Sequence, residues 1–243
     1  MRERFLKAVE YRRKLELART DSTKRPDRDL EMEVLVQVLE GKRVVHHHTH
    51  RYDDILTVLR LREEFGFRLV LQHVTEGWKV AKEIAAAGVP TSVILIDSPG
   101  GKLEAMGLRM ENAAVLDAAG VLVGFHTDDG ITDSRFFLRS AALGVRAGLG
   151  RARALEALTI AGAKMLDLAD RVGTLEPGKD ADFVLLSGDP FSTYTHVEET
   201  WAAGERVYDR SNPADRQYAT GAFRLMRDLE AHSDEHGDLG GER

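Results

Sequence analysis

The sequence predicts an α/β protein: a partial (β/α)8, TIM-like barrel of about four βα units, followed by a small β-sandwich appendage. Three observations lead there. Apolar strand-like runs alternate with stretches of helical periodicity, and the runs start 20–30 residues apart, a normal βα period for a parallel sheet. Three of the four runs pass into His or Asp at their carboxyl ends, where parallel α/β folds gather their chemistry. After Asp170 the chain changes to turn residues and short strands. A closed barrel of eight units takes ~250 residues, whereas the four units here fill about 130. The expectation is half a barrel.

Residues 1–43 read as two helices, with Phe5, Leu6 and Val9, then Leu30, Val34, Leu35 and Val38, recurring at helical spacing. The loop between them carries Pro26 and ends on Asp29, a suitable N-cap. Mixed charges in this stretch read as solvated helix faces. A strand is expected over 42–48, then a helix over 53–65 that lines up Ile55, Leu56, Leu59 and Phe65, capped by Asp53 in front and Gly66 behind. The next strand covers 67–73, and its helix, near 78–87, stops at Gly88. The third strand covers 90–96 and its helix 108–119, stopped at Gly120; the fourth strand covers 121–128, with helices at 135–144 and 151–169. Beyond these lie a strand at 183–186, a turn at 188–190, and a hairpin of 197–201 with 205–208 around Ala203-Gly204. A last helix is expected within 215–231 and a frayed tail over 233–243. The domains expected are 1–170 for the half-barrel, 171–212 for the β appendage and 213–243 for the terminal helix and tail.

The 243 residues carry 34 basic and 40 acidic side chains, a net charge of −6. Nothing in that balance recruits nucleic acid or an anionic membrane. With no Cys there is no disulfide and no thiolate metal site, so any metal needs His and carboxylate ligands. No apolar run approaches the ~20 residues of a membrane span, and residues 1–15 are too charged for a signal peptide. The expectation is a soluble, cytoplasmic protein whose partner is a small molecule.

Six of the nine His lie between positions 46 and 126, four of them in HHHTH at 46–50. Strand alternation puts His46 and His48 on one face and His47 on the other. Singly these residues have ordinary explanations: a His-rich turn, a buried His at 73, a turn cap at Asp128. Together, two imidazoles and a carboxylate at the carboxyl ends of separate parallel strands converge on one mouth, a normal Zn²⁺ ligand set. His126 shares the face of Asp128 one layer deeper and reads as a packed or supporting group rather than a ligand. The Gly-rich loop 97–102 reads as a plain βα connection ahead of a substrate lid.

At this point the residues carry a resemblance. The run from Asp170 to Leu186 (DRVGTLEPGKDADFVLL), then Gly188-Asp-Pro190 and WAAGERVY at 201–208, resembles the close of the metal-dependent amidohydrolases, in the branch of imidazolonepropionase and the prolidase-like dipeptidases. Upstream, VVHHHTHRYDDI at 44–55 resembles that family's fifth strand, Leu71-Gln-His73 its sixth and Phe125-His-Thr-Asp128 its eighth. The likeness spans roughly residues 1–210 and makes the four units the C-terminal half of such a barrel. It implies metal ligands at His48 (or His46, two residues back on the same face), His73 and Asp128. Asp128 rather than Asp129 would also take the proton of the attacking water, and His50 would face the substrate. It further implies a divalent cation, most often Zn, with Mn or Fe as alternatives, and an amide, lactam or peptide-like substrate cleaved at a C–N bond. The family's first-strand His-X-His pair and its fourth-strand bridging Lys or Glu have no counterpart here. The expectation is therefore a truncated chain or one part of a split enzyme, acting as a homo-oligomer or with a complementing N-terminal half-barrel. The alternative is an inactive relic or binding subunit; a deaminase would require a further acid/base Glu or His, for which the sequence offers no clear candidate.

Overall fold

The computed structural model describes residues 1–95, 102–129 and 131–220. At the amino end, α1 (Arg2–Leu17) and α2 (Leu30–Leu39) pair as a hairpin, because Ala8 and Tyr11 on one bury against Met32 and Val36 on the other. Asp29 caps α2 as expected, accepting from the Met32 N–H at 3.1 Å. Its own N–H donates to Tyr11 Oη at 3.2 Å, which ties the loop to α1. Phe5 seats this hairpin on the rest of the protein, stacking on Phe65 and Phe67 with ring centroids 5.0 and 4.9 Å away.

The four expected parallel strands are present: β1 (Val44–Thr49), β2 (Arg68–His73), β3 (Thr91–Val93) and β4 (Val123–Phe125), paired in that order. Between them run α3 (Tyr52–Phe65), α4 (Ala81–Ala86) and α5 (Asn112–Ala118). One face of the sheet is sealed by these helices and by α6 (Phe137–Arg146). Leu71 and Val93 from the strands and Ile55, Ile84 and Leu116 from the helices have no exposed surface. Each such side chain contributes roughly 1.5–3 kcal/mol through burial. On the opposite face, Val44, Val70 and Leu122 are covered by Ala161 and Met165. The rest of that face is polar, with Gln72 Nε2 and His46 Nδ1 2.9 Å apart.

Several elements depart from expectation for identifiable reasons. Asp53 does not cap α3: the cap position is Arg51, and the first amide, Tyr52 N–H, is satisfied by Glu76 Oε2 at 3.1 Å, from the loop after β2. Gly66 does end the helix in the left-handed conformation, φ 71°. The single helix expected over 151–169 is two, α7 (Arg151–Leu158) and α8 (Ile160–Met165). They part at Thr159 (φ −133°, ψ −98°), whose hydroxyl donates to the Leu155 carbonyl at 2.8 Å. The break has a packing cause. Ala154 and Ala157 of α7 belong to the helix-side core, whereas Ala161 and Met165 of α8 cover the opposite face. A Cβ at Gly124 would meet Met165 Cε at 3.2 Å, so β4 accepts Met165 through a missing side chain.

The motif that follows is a clasp. Arg171 pairs with Asp180, the Asp180 N–H donates to the Arg171 carbonyl at 2.8 Å, and Lys179 Nζ donates to the Ala169 carbonyl at 2.7 Å. Gly173, at φ 94°, lies so close to α8 that a Cβ would sit 2.9 Å from Ile160 Cα. Beyond it β5 (Phe183–Leu186), β6 (Val197–Ala202) and β7 (Glu205–Asp209) form an antiparallel sheet in that order. Its hairpin turns at Ala203 and Gly204, both at positive φ, as the twist of a two-residue turn demands. Among the described residues this is one three-stranded sheet rather than the expected sandwich. The last helix begins as α9 (Pro213–Thr220); its expected continuation, the tail and residues 97–101 of the Gly-rich loop lie outside the described residues. Among those residues no helix is long and apolar enough to cross a membrane.

Candidate metal centre

His48 and His50 reach the polar side of the sheet by simple alternation along β1 and its exit. His73 does not. Register pairs it with Thr49 on one side and Val93 on the other, a row whose next member is Phe125, and Val93 and Phe125 belong to the helix-side core. The backbone breaks the alternation: His73 has φ 66° and Val74 φ 52°. Left-handed conformations at non-glycine residues cost of order 1–3 kcal/mol each and persist only where the surroundings hold them. Here the Val74 N–H donates to the Thr49 carbonyl at 2.9 Å, and the Glu76 N–H to the His50 carbonyl at 2.8 Å. Asn112, 1% exposed, donates through Nδ2 to the Val74 carbonyl at 2.8 Å. The strand end is thus fastened to β1 and to α5, and the His73 ring lands among the other imidazoles.

The ring centroids of His48 and His73 are 4.3 Å apart, and each lies 4.8 Å from that of His50. One ligating atom from each of the three lies within 4.8 Å of the others. His50 Nδ1 is 2.7 Å from Thr75 Oγ1. His50 Nε2 is buried with no hydrogen-bond partner, and the carboxylate of Glu104 stands 3.8 Å from it. Behind His73, His126 Nε2 is 3.2 Å from His73 Nδ1, and His126 Nδ1 is 2.7 Å from Ser92 Oγ.

Burial keeps the rings of His50, His73 and His126 neutral. Burial pushes His73 down to about 3, with His126, His48 and His50 pushing the same way. Burial likewise holds His126 at about 4, outweighing the upward pull of Asp128. His50 is lowered by burial and by His48, against the pull of Glu104 and Asp128. Neutral imidazole is the form that binds a metal. Neutral rings at His50 and His73, an orphaned buried nitrogen on His50 and the His48 ring beside them fit a divalent cation.

Of the expected site residues, His48, His50 and His73 come together. His50, expected to face substrate, joins the cluster as a full member. Asp128 lies on an exposed turn at φ 52° and acts on His50 and His126 through its charge, outside the group of three. Asp129 is engaged elsewhere, accepting from Ser134 Oγ at 2.9 Å. His46 bonds Gln72 rather than joining the cluster, and His126 supports His73 as expected of a packed group. Thr75, Glu104, Ser92 and Asn112 were not foreseen; only Glu104, a carboxylate soon after a strand-end loop, left any mark in the sequence. A cavity of about 560 Å³ lies elsewhere, between Arg135, Phe136, Pro190 and Tyr208.

Comparison with known proteins places this geometry in context. An amidohydrolase family profile matches residues 8–208. A crystallised amidohydrolase from Thermotoga maritima MSB8 is 40% identical, with a TM-score of 0.81 over 86% of this chain and 55% of that one. The amidohydrolase tasK of Hapsidospora irregularis is 26% identical over 185 residues, 74% of this chain and 19% of that protein. An adenosine deaminase from Xanthomonas campestris, crystallised with bound zinc, shares the fold at 22% identity and a TM-score of 0.58, over 83% of this chain and 54% of that one. The chain spans about half the length of these structural relatives and a fifth of the curated one.

Proposed function

The chain belongs to the amidohydrolase family, and from that premise we propose that it is the C-terminal half of a metal-dependent hydrolase acting on C–N bonds. The observation that carries this reading is the His48–His50–His73 cluster with its unpartnered buried nitrogen. These three side chains would hold the cation, with Zn the first choice for an imidazole set and Mn or Fe as alternatives. When bound, such an ion lowers the pKa of water toward about 7 and polarises a carbonyl.

The chain's own groups do the rest. Asp128, at the rim, takes the proton of the attacking water and returns it to the leaving nitrogen. Thr75 holds the His50 ring by its Nδ1 and so aims Nε2 inward. The helix-sealed back of the sheet keeps water from reaching the rings from behind. The substrate class is an amide, lactam or peptide-like molecule. The outer edges of β1 and β4 are unpaired among the described residues. In this reading they are closed into a (β/α)8 barrel by a complementing half, or covered by self-association.

One observation favours a second chemistry of the same class. Glu104 beside His50 supplies the additional carboxylate that deamination of an amino-substituted ring would use. A panel of N-acyl amino acids, dipeptides, lactams and aminopurines, offered to the zinc-loaded chain alone and with a complementing half, separates the two. Release of carboxylate and amine supports the first, and ammonia from the rings supports the second. Activity indifferent to Asp128→Asn in every assay would refute the assignment of Asp128.

A further inference from the structure

Metal ligation by His73 depends on which of its nitrogens carries the proton. The Ser92–His126–His73 chain allows two proton orders. In one, the Ser92 hydroxyl donates to His126 Nδ1, His126 Nε2–H donates to His73 Nδ1, and the His73 proton is left on Nε2, where it blocks ligation. In the other, His73 Nδ1–H donates to His126 Nε2, His126 Nδ1–H donates to Ser92 Oγ, and His73 Nε2 keeps its lone pair. The contacts are 3.2 Å and 2.7 Å, and His73 and Ser92 are buried at 7% and 9% exposure. Ser92 stands beside Gly124 in the β3–β4 register, and His126 follows Gly124 by two residues on the same face. The acceptor is therefore fixed by the sheet itself.

We infer that His126 and Ser92 are positioning residues that lock His73 in its Nδ1–H tautomer, an imidazole doing what a carboxylate or backbone carbonyl usually does behind a metal-binding His. This rests on the metal-centre reading, because only a ligand at His73 requires that order. The arrangement mirrors the Thr75 contact behind His50. Each of the two inward-facing buried imidazoles thus has its outer nitrogen tethered.

The test uses the full chain, metal-free and 15N-histidine-labelled, at pH 7.5. Ring nitrogen shifts should show His73 protonated at Nδ1 and not at Nε2. His126→Phe keeps a ring but removes the acceptor. It should release His73 into the other tautomer and weaken zinc binding, measured by chelator competition, by about 10–100-fold. His126→Gln, whose amide oxygen can accept, should restore both to near wild type. Should the Phe variant fail to fold, Ser92→Ala asks the same question one step back and should shift the tautomer partly. A wild-type His73 protonated at Nε2 overturns the inference even where zinc binds. So does a Phe variant with unchanged tautomer and affinity. The Nδ1–H tautomer in a wild-type chain that binds no zinc supports the proton order and refutes the metal centre instead.

Discussion

Acid should destabilise the metal-free chain through its buried imidazoles, by an amount that follows from the structure. His126 sits at about 4 and His73 at about 3 in the folded protein, against 6.5 for an ordinary imidazole. A base whose folded value is depressed binds fewer protons folded than unfolded. Its contribution is complete above pH 6.5 and is lost as pH falls, until the folded group itself protonates near 4 and then 3. Between pH 7 and pH 5 each group removes ~2 kcal/mol, and the pair at most ~4 kcal/mol because the rings interact. Urea melts of wild type and His126→Gln at both pH values isolate the effect from the carboxylates common to the two chains. The variant should lose roughly half of the imidazole share, close to 2 kcal/mol less than wild type over the same interval. Identical pH dependence in the two proteins would show that His126 is charged or solvated when folded, and the neutral cluster would fall with it.

Three further outcomes are expected. Gly173→Ala places a Cβ 2.9 Å from Ile160 Cα at φ 94°; it should cost ~2 kcal/mol or more by thermal melting, and a neutral result would mean the clasp is looser than described. Asn112→Ala removes the Nδ2 donor to the Val74 carbonyl and should cost about 1–3 kcal/mol. It should also weaken zinc binding by loosening the left-handed turn, whereas unchanged affinity would detach the turn from the site. Asp128→Asn should retain zinc on the three imidazoles while turnover of any substrate found falls by ~10²–10⁴; full turnover would move the base elsewhere, with Glu104 the next to test.

Much of this was legible in the sequence because the strands alternate cleanly. Val45 packs beside the core while His46 and His48 face away from it, as a period of two dictates. Asp29 as a cap, Gly66 as a stop and the turn at Ala203-Gly204 follow from local chemistry, and all three are found. What was not legible depends on distant contacts. His73 faces the site only because Thr49, His50 and Asn112 hold two non-glycine residues in a conformation that Val74 disfavours. A carboxylate 24 residues away, Glu76, satisfies Tyr52 N–H where Asp53 was expected to act. The break at Thr159 arises because consecutive helices serve opposite faces of one sheet. The three-imidazole set was within reach, since His48 and His50 share a face, but His50 was expected to face the substrate.

Calorimetric titration of Zn²⁺ into the metal-free full chain tests the central claim most directly. The account predicts one ion per chain, with affinity falling sharply in each of His48→Ala, His50→Ala and His73→Ala. Wild-type binding reproduced in all three variants, or no binding by the wild type, would contradict it.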